Sequence, residues 1–149
     1  MRKIMLQVIL VVSALILTAS TAFAHCEIPC GIYDDEARIN MIEEDITTIE
    51  KSMKEILRLQ KESPVNYNQL VRWIMNKEQH ADRLQEIVSQ YFLTQRIKIG
   101  AEKYAEKLSL LHKMLVYGMK AKQTTDLPHV KTLRSLLKDF HDLYFAEHN

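Results

Sequence analysis

Beyond a short N-terminal portion, apolar residues recur every three or four positions over four long stretches, the spacing that puts them on one face of a helix. In the first, residues 35–62, Ile39, Ile42, Ile46, Ile49, Met53 and Ile56 make a narrow seam of the kind helices bury against one another. Asp34 or Asp35 is placed to cap its start, and Ser63-Pro64 stops it. The second stretch, residues 66–92, carries Leu70, Ile74, Ala81, Leu84, Val88 and Tyr91, with Trp73 beside the seam and Lys77 where an apolar residue is expected. The third, residues 94–122, carries Ile97, Ala101, Tyr104, Leu108, Leu111, Leu115 and Met119, with Gly100 and Gly118 weakening its two ends. The last, residues 127–148, opens on Thr125-Asp126 with Pro128 in its first turn, and its seam is Val130, Leu133, Leu137, Phe140 and Tyr144. No alternating strand pattern and no Gly-rich phosphate loop is present in the sequence. Short connections force antiparallel neighbours, so residues 35–149 are expected to form an all-α, up-down four-helix bundle. Such a fold says nothing of function by itself. The chemistry has to come from the segment before the first helix, or from polar residues near it.

Residues 1–24 have the build of a signal peptide: Arg2 and Lys3, an uncharged apolar run over 4–17, then the small-x-small pattern of Ala22-Phe23-Ala24. An uncleaved membrane anchor is the alternative, but the run is short for a span of about 20 residues. Cleavage after Ala24 by a signal peptidase would export the chain, to a periplasm or beyond, and leave no membrane segment. Of 149 residues, 125 would remain, enough for one domain, and the loss of Arg2 and Lys3 would take the formal charge from +1 to −1. A near-neutral chain without a basic block offers nothing to nucleic acid or to an anionic membrane surface.

Cleavage would also make His25 the amino terminus of a segment, residues 25–34, that holds both cysteines of the chain, Cys26 and Cys30. Pro29 and Gly31 shape a tight turn between and after the thiols. The His25 amine and the deprotonated Cys26 amide close a five-membered chelate, which the Cys26 thiolate extends along the same chain. With the Cys30 thiolate, the set is two nitrogens and two sulfurs, a tetragonal arrangement that suits Ni(II) or Cu(II) better than tetrahedral zinc. The His25 imidazole is left as an axial ligand. Thiolate and anionic amide donors stabilise the higher oxidation state of such a metal.

His25-Cys26-x-x-Pro29-Cys30-Gly31-x-Tyr33 at a processed N-terminus resembles the metal hook of nickel superoxide dismutase. The similarity continues at Asp34, Ala37-Arg38-Ile39, Lys77-Glu78-Gln79 and Tyr91-Phe92 and in the long-helix layout. The resemblance implies disproportionation of superoxide to dioxygen and hydrogen peroxide by a nickel ion cycling between Ni(II) and Ni(III). It implies metal ligation by His25, Cys26 and Cys30, Tyr33 beside the open face ordering substrate or water, and assembly as a homohexamer. Two places depart from the family's pattern: Asn40 stands for a glutamate and His80 for an arginine that pair behind the axial histidine. An amide and an imidazole can still hydrogen-bond to each other or to His25, so Asn40 and His80 are expected to support it.

Two other readings of the same residues remain. One is an exported helical protein that binds nickel or copper without turnover. The other is a structural bundle with a Cys26–Cys30 disulfide, the ordinary fate of paired cysteines in an exported protein. His112, His129, His141 and His148 have no thiol or carboxylate constellation around them, and the Glu43-Glu44-Asp45 run reads as a solvated helix face. No His-Glu-x-x-His motif is present, so a hydrolase has no support.

Overall fold

A computed structural model of the chain describes residues 33–146 and, before them, Met5 alone. The expected cleavage site and hook positions 25–32 lie outside the described residues. Four helices follow one another: α1 (Asp35–Leu59), α2 (Tyr67–Glu86), α3 (Tyr104–Gln123) and α4 (Leu127–Phe145). A wider, π-helical winding over Ile87–Arg96 prolongs α2. Each helix packs on two neighbours, α1 on α2 and α4, α3 on α2 and α4, which closes the four-helix bundle. All neighbours are antiparallel. Asp35 meets Tyr91 while Ser52 meets Asn76, Lys77 meets Ala121 while Gln85 meets Leu115, and Asp35 meets Tyr144 while Glu50 meets Arg134.

The seams of the first and last stretches are the core. Ile39, Ile42, Ile46, Ile49, Met53 and Ile56 are buried, as are Val130, Leu133, Leu137, Phe140 and Tyr144. The third stretch differs from expectation in both start and face. No helix runs through residues 97–103, where Gly100 (φ 81°) and Lys103 (φ 49°) take left-handed backbone and break helical winding. The helix that then starts at Tyr104 buries Lys107, Leu111, Met114, Gly118 and Ala121, while Met119 is exposed. Close approach to α2 explains the turned face. A Cβ at Gly118 would lie 3.2 Å from Gln85 Cγ, so the small residues face α2, and small residues carry little weight in a hydrophobic pattern.

Lys77 also finds its reason here. Its buried ammonium donates to the carbonyl of Ala121 at 2.8 Å, to that of Lys122, and to Glu78 Oε1 at 2.8 Å. It thus satisfies the last carbonyls of α3, where the helix dipole favours a cation.

Candidate functional site

Tyr33, the last residue of the hook motif, stands at the foot of α1 and is half-exposed. Asp34 caps that helix, accepting from the Ala37 amide at 2.8 Å. Asp35, one residue on, is therefore free to turn inward.

Four donors converge on Asp35 from two other helices. Tyr91 Oη donates to Oδ1 at 2.6 Å; Tyr144 Oη at 2.7 Å, Arg96 Nη2 at 2.7 Å and Arg96 Nε at 3.1 Å all donate to Oδ2. Burial alone would raise this carboxyl, but the hydrogen bonds from Arg96, Tyr91 and Tyr144 outweigh it and hold Asp35 below the ordinary carboxylate value. The phenols respond in the opposite sense. Burial, and then the bond to the Asp35 anion, pushes Tyr91 up to about 12, and the same two causes push Tyr144 up further. Both keep their protons at neutral pH and serve as fixed donors rather than acids.

The winding of residues 87–96 makes this convergence possible. In an α-helix, residues five apart point about 140° apart at 3.6 residues per turn. Here the Ile97 amide bonds Phe92 O at 2.9 Å and the Thr94 hydroxyl bonds Ser89 O at 2.7 Å, both reaching back five residues. Residues five apart then fall near one face, so Tyr91 and Arg96 reach the same carboxylate.

Aromatic rings fill the space around the cluster. Tyr33 meets Tyr91 edge-on at 6.1 Å between centroids, Tyr91 meets Phe92 at 5.1 Å, and Phe92 meets Phe140 at 5.0 Å and Tyr144 at 5.7 Å. Two guanidiniums flank the outer pair, Arg96 at 4.3 Å from the Tyr33 centroid and Arg38 at 5.1 Å from that of Tyr91.

Asn40 and His80 are not joined by a hydrogen bond among the described residues. Asn40 is exposed, while His80 Nδ1 lies 2.6 Å from Oδ1 of Asp45, five residues further along α1 and so on another face. Asp45 also corrects the reading of residues 43–45 as a solvated face. It is fully buried, with Arg83 Nη2 at 3.2 Å from the same oxygen, while Glu43 pairs with Arg134 at a half-exposed position and Glu44 is exposed. Oδ2 of Asp45 has no hydrogen-bond partner among the described residues. Burial raises the Asp45 carboxyl above its ordinary value despite the His80 hydrogen bond and the Arg83 charge.

Of the residues expected from sequence to form the site, then, Tyr33 lies on the cluster, His80 on a separate buried pair, and Asn40 on the surface. Asp35 and Arg96 were not legible as site residues. Asp35 reads as a cap, and Arg96 lies where one helix was expected to give way to another.

No group of three or more His, Cys, Asp or Glu among the described residues could hold a metal ion. Cys26 and Cys30 lie outside the described residues, and as thiolates their chemistry would fit nickel. The described part of the molecule is a helical bundle whose polar cluster braces the start of α1. The family model for nickel-containing superoxide dismutase matches residues 20–148, and the chain belongs to that family. Neither a search of curated proteins nor one of solved structures returns a match. The protein is therefore a nickel-dependent superoxide dismutase, an oxidoreductase.

Proposed function

We propose that the nickel is held by His25, Cys26 and Cys30 once cleavage after Ala24 has freed the His25 amine. The observation that carries this reading is position. Six matching hook residues stand directly behind a small-x-small cleavage pattern, inside the stretch matched by the family model. In this reading the His25 amine and imidazole, the Cys26 amide and thiolate and the Cys30 thiolate would hold the nickel. Bound there, nickel would supply the one-electron redox chemistry by which two superoxides and two protons become dioxygen and hydrogen peroxide. The chain's own part is to bind, to position and to keep protons where they belong. Tyr33, at the base of the hook and open to solvent, orders substrate or water beside the metal. Tyr91 and Tyr144 are not the proton source, because burial and the bond to the Asp35 anion hold their protons.

The leader points to export, to a periplasm or beyond. It also supports a maturation step, since an acylated nitrogen cannot serve as an amine ligand and the uncleaved chain would be inactive. Assembly as a homohexamer is the family expectation, supported by Tyr67, Val71, Ile74 and Met75, which expose an apolar stripe on the first half of α2. A monomer in light scattering of the mature protein would overturn it.

The N-terminal residue of the mature protein tests the ligand set first: it should be His25. Cys26→Ser and Cys30→Ser together should abolish nickel binding and dismutation. A single residue added before His25 should do the same while leaving every side chain intact. Activity that survives either change sinks the proposal.

A further inference from the structure

We propose that Arg96, oriented by Asp35, is a positioning residue that fixes the Tyr33 ring and with it the base of the hook. The inference rests on the reading of Tyr33 as the residue beside the metal, and it adds two residues to which that reading assigned no role. Both N–H groups on one edge of the Arg96 guanidinium are spent on Asp35 Oδ2, at 2.7 and 3.1 Å. That fixes the plane of the group. Its face is left to the Tyr33 ring, 4.3 Å from centroid to Cζ, and Tyr91 closes on the same ring edge-on. Asp35 is in turn held by the Tyr91 and Tyr144 hydroxyls, so the orientation of Arg96 is set by three helical segments at once.

The arrangement also separates holding from charging. Asp35 neutralises Arg96, so the stack on Tyr33 adds no net charge where an anionic substrate must approach. Lysine could supply the charge at this place but not the planar face or the two parallel donors. The sequence supplies the remaining condition. One residue, Asp34, separates Tyr33 from Asp35 in the chain, and its cap fixes the helix start between them.

The test is made on the mature, full-length chain, first without metal and then with nickel. Tyrosine-labelled NMR, with Tyr33→Phe for assignment, follows the Tyr33 ring, and hydrogen exchange follows the amides at the start of α1. In Arg96→Met the Tyr33 resonances should move toward their unstructured positions, and exchange at residues 33–36 should rise roughly tenfold. Asp35→Asn should give a smaller change in the same sense, and Arg96→Lys should restore the charge without restoring the resonance. After nickel loading, Arg96→Met should lower dismutation by roughly tenfold, the scale expected for a misplaced group. Lys77→Met, which strips the carbonyl cap from α3 at the far end, controls for plain destabilisation: it should lower the melting temperature and leave Tyr33 where it is. If Tyr33 resonances stay put in folded Arg96→Met, or if Arg96→Lys behaves as wild type, the proposal is overturned. Should Arg96→Met fail to fold, Asp35→Asn and Arg96→Lys decide by the same resonances. Failure of the wild-type chain to bind nickel would strike at the ligand set instead, because the Tyr33 readout needs no metal.

Discussion

Asp35 and Asp45 lie on the same helix, and both are largely withdrawn from water, yet their carboxyls move in opposite directions. The difference is the number and placement of donors. Asp35, at the end of the bundle, receives four hydrogen bonds spread over both oxygens, two of them from a guanidinium. Asp45, in the middle, is the more deeply buried, and its two partners, His80 and Arg83, crowd one oxygen while the other has none among the described residues. A buried carboxylate is cheap to ionise only when each lone pair meets a donor, and one orphaned oxygen is enough to let desolvation win. The two sites thus show two uses of one residue type, an anchor that stays charged and a pair that is held under electrostatic tension.

The largest effect that would break the contrast is Asp35→Leu, which leaves Arg96 and two phenols without their acceptor. We expect a loss of about 3 kcal/mol, less than for a wholly sealed pair because Arg96 retains some access to water. Denaturant unfolding measures it, and a loss under about 1 kcal/mol would mean that the cluster is decorative. The milder exchange sharpens the comparison. Asp35→Asn should cost about 2 kcal/mol, whereas Asp45→Asn should stay within about 1 kcal/mol, since it removes an ion that was poorly served. Equal costs would contradict the difference in donor supply.

Acid titration of stability separates the two by sign. The folded value of Asp35 lies below the ordinary 3.8, so its contribution is present above 3.8 and is lost as pH falls through the folded value. The folded value of Asp45 lies above 3.8, so the fold favours its protonated form, and wild type loses ground to Asp45→Asn as pH rises from 3.8 through that folded value. On acidification, the advantage of wild type over Asp35→Asn should shrink while its standing against Asp45→Asn improves. The same direction for both would overturn the assignment.

The smallest effects are those of single hydroxyls. Tyr91→Phe and Tyr144→Phe keep the rings and should each cost about 1 kcal/mol. Each should also remove one late-titrating phenol from the alkaline absorbance titration, that of Tyr91 near 12. Because folding raises these values above the ordinary 10.0, the stability they contribute is full below 10.0 and is lost as pH climbs through the folded values.

Much of the scaffold was legible from apolar spacing, because isoleucine, leucine and aromatic side chains at steps of three and four bury themselves almost wherever a partner helix exists. The regularity of α1 and α4 shows it. In the third stretch, where the pattern failed, a backbone effect was responsible. Two left-handed residues, Gly100 and Lys103, delay α3, and small residues at Gly118 and Ala121 set the face that nears α2. Lys77 read as an interruption of its seam and is a cap on a helix distant in sequence. In the proposed site, thiols and an amine gathered within six residues are chemistry that a sequence can suggest. An aspartate that acts through donors more than fifty residues away is not, and Asp45 within an acidic run gives no sign of its burial.

The sequence by itself determined the helical class, the seams of the first and last helices and the nickel family, because these depend on periodicity and on residues that act together while adjacent in the chain. The tertiary structure alone decided that Asp35, Tyr91, Arg96 and Tyr144 form one cluster, and that His80 answers to Asp45 rather than to Asn40. The physical reason is geometric. A five-residue winding and the register of antiparallel helices fix which side chains can meet, and neither is written in the local order of apolar and polar residues.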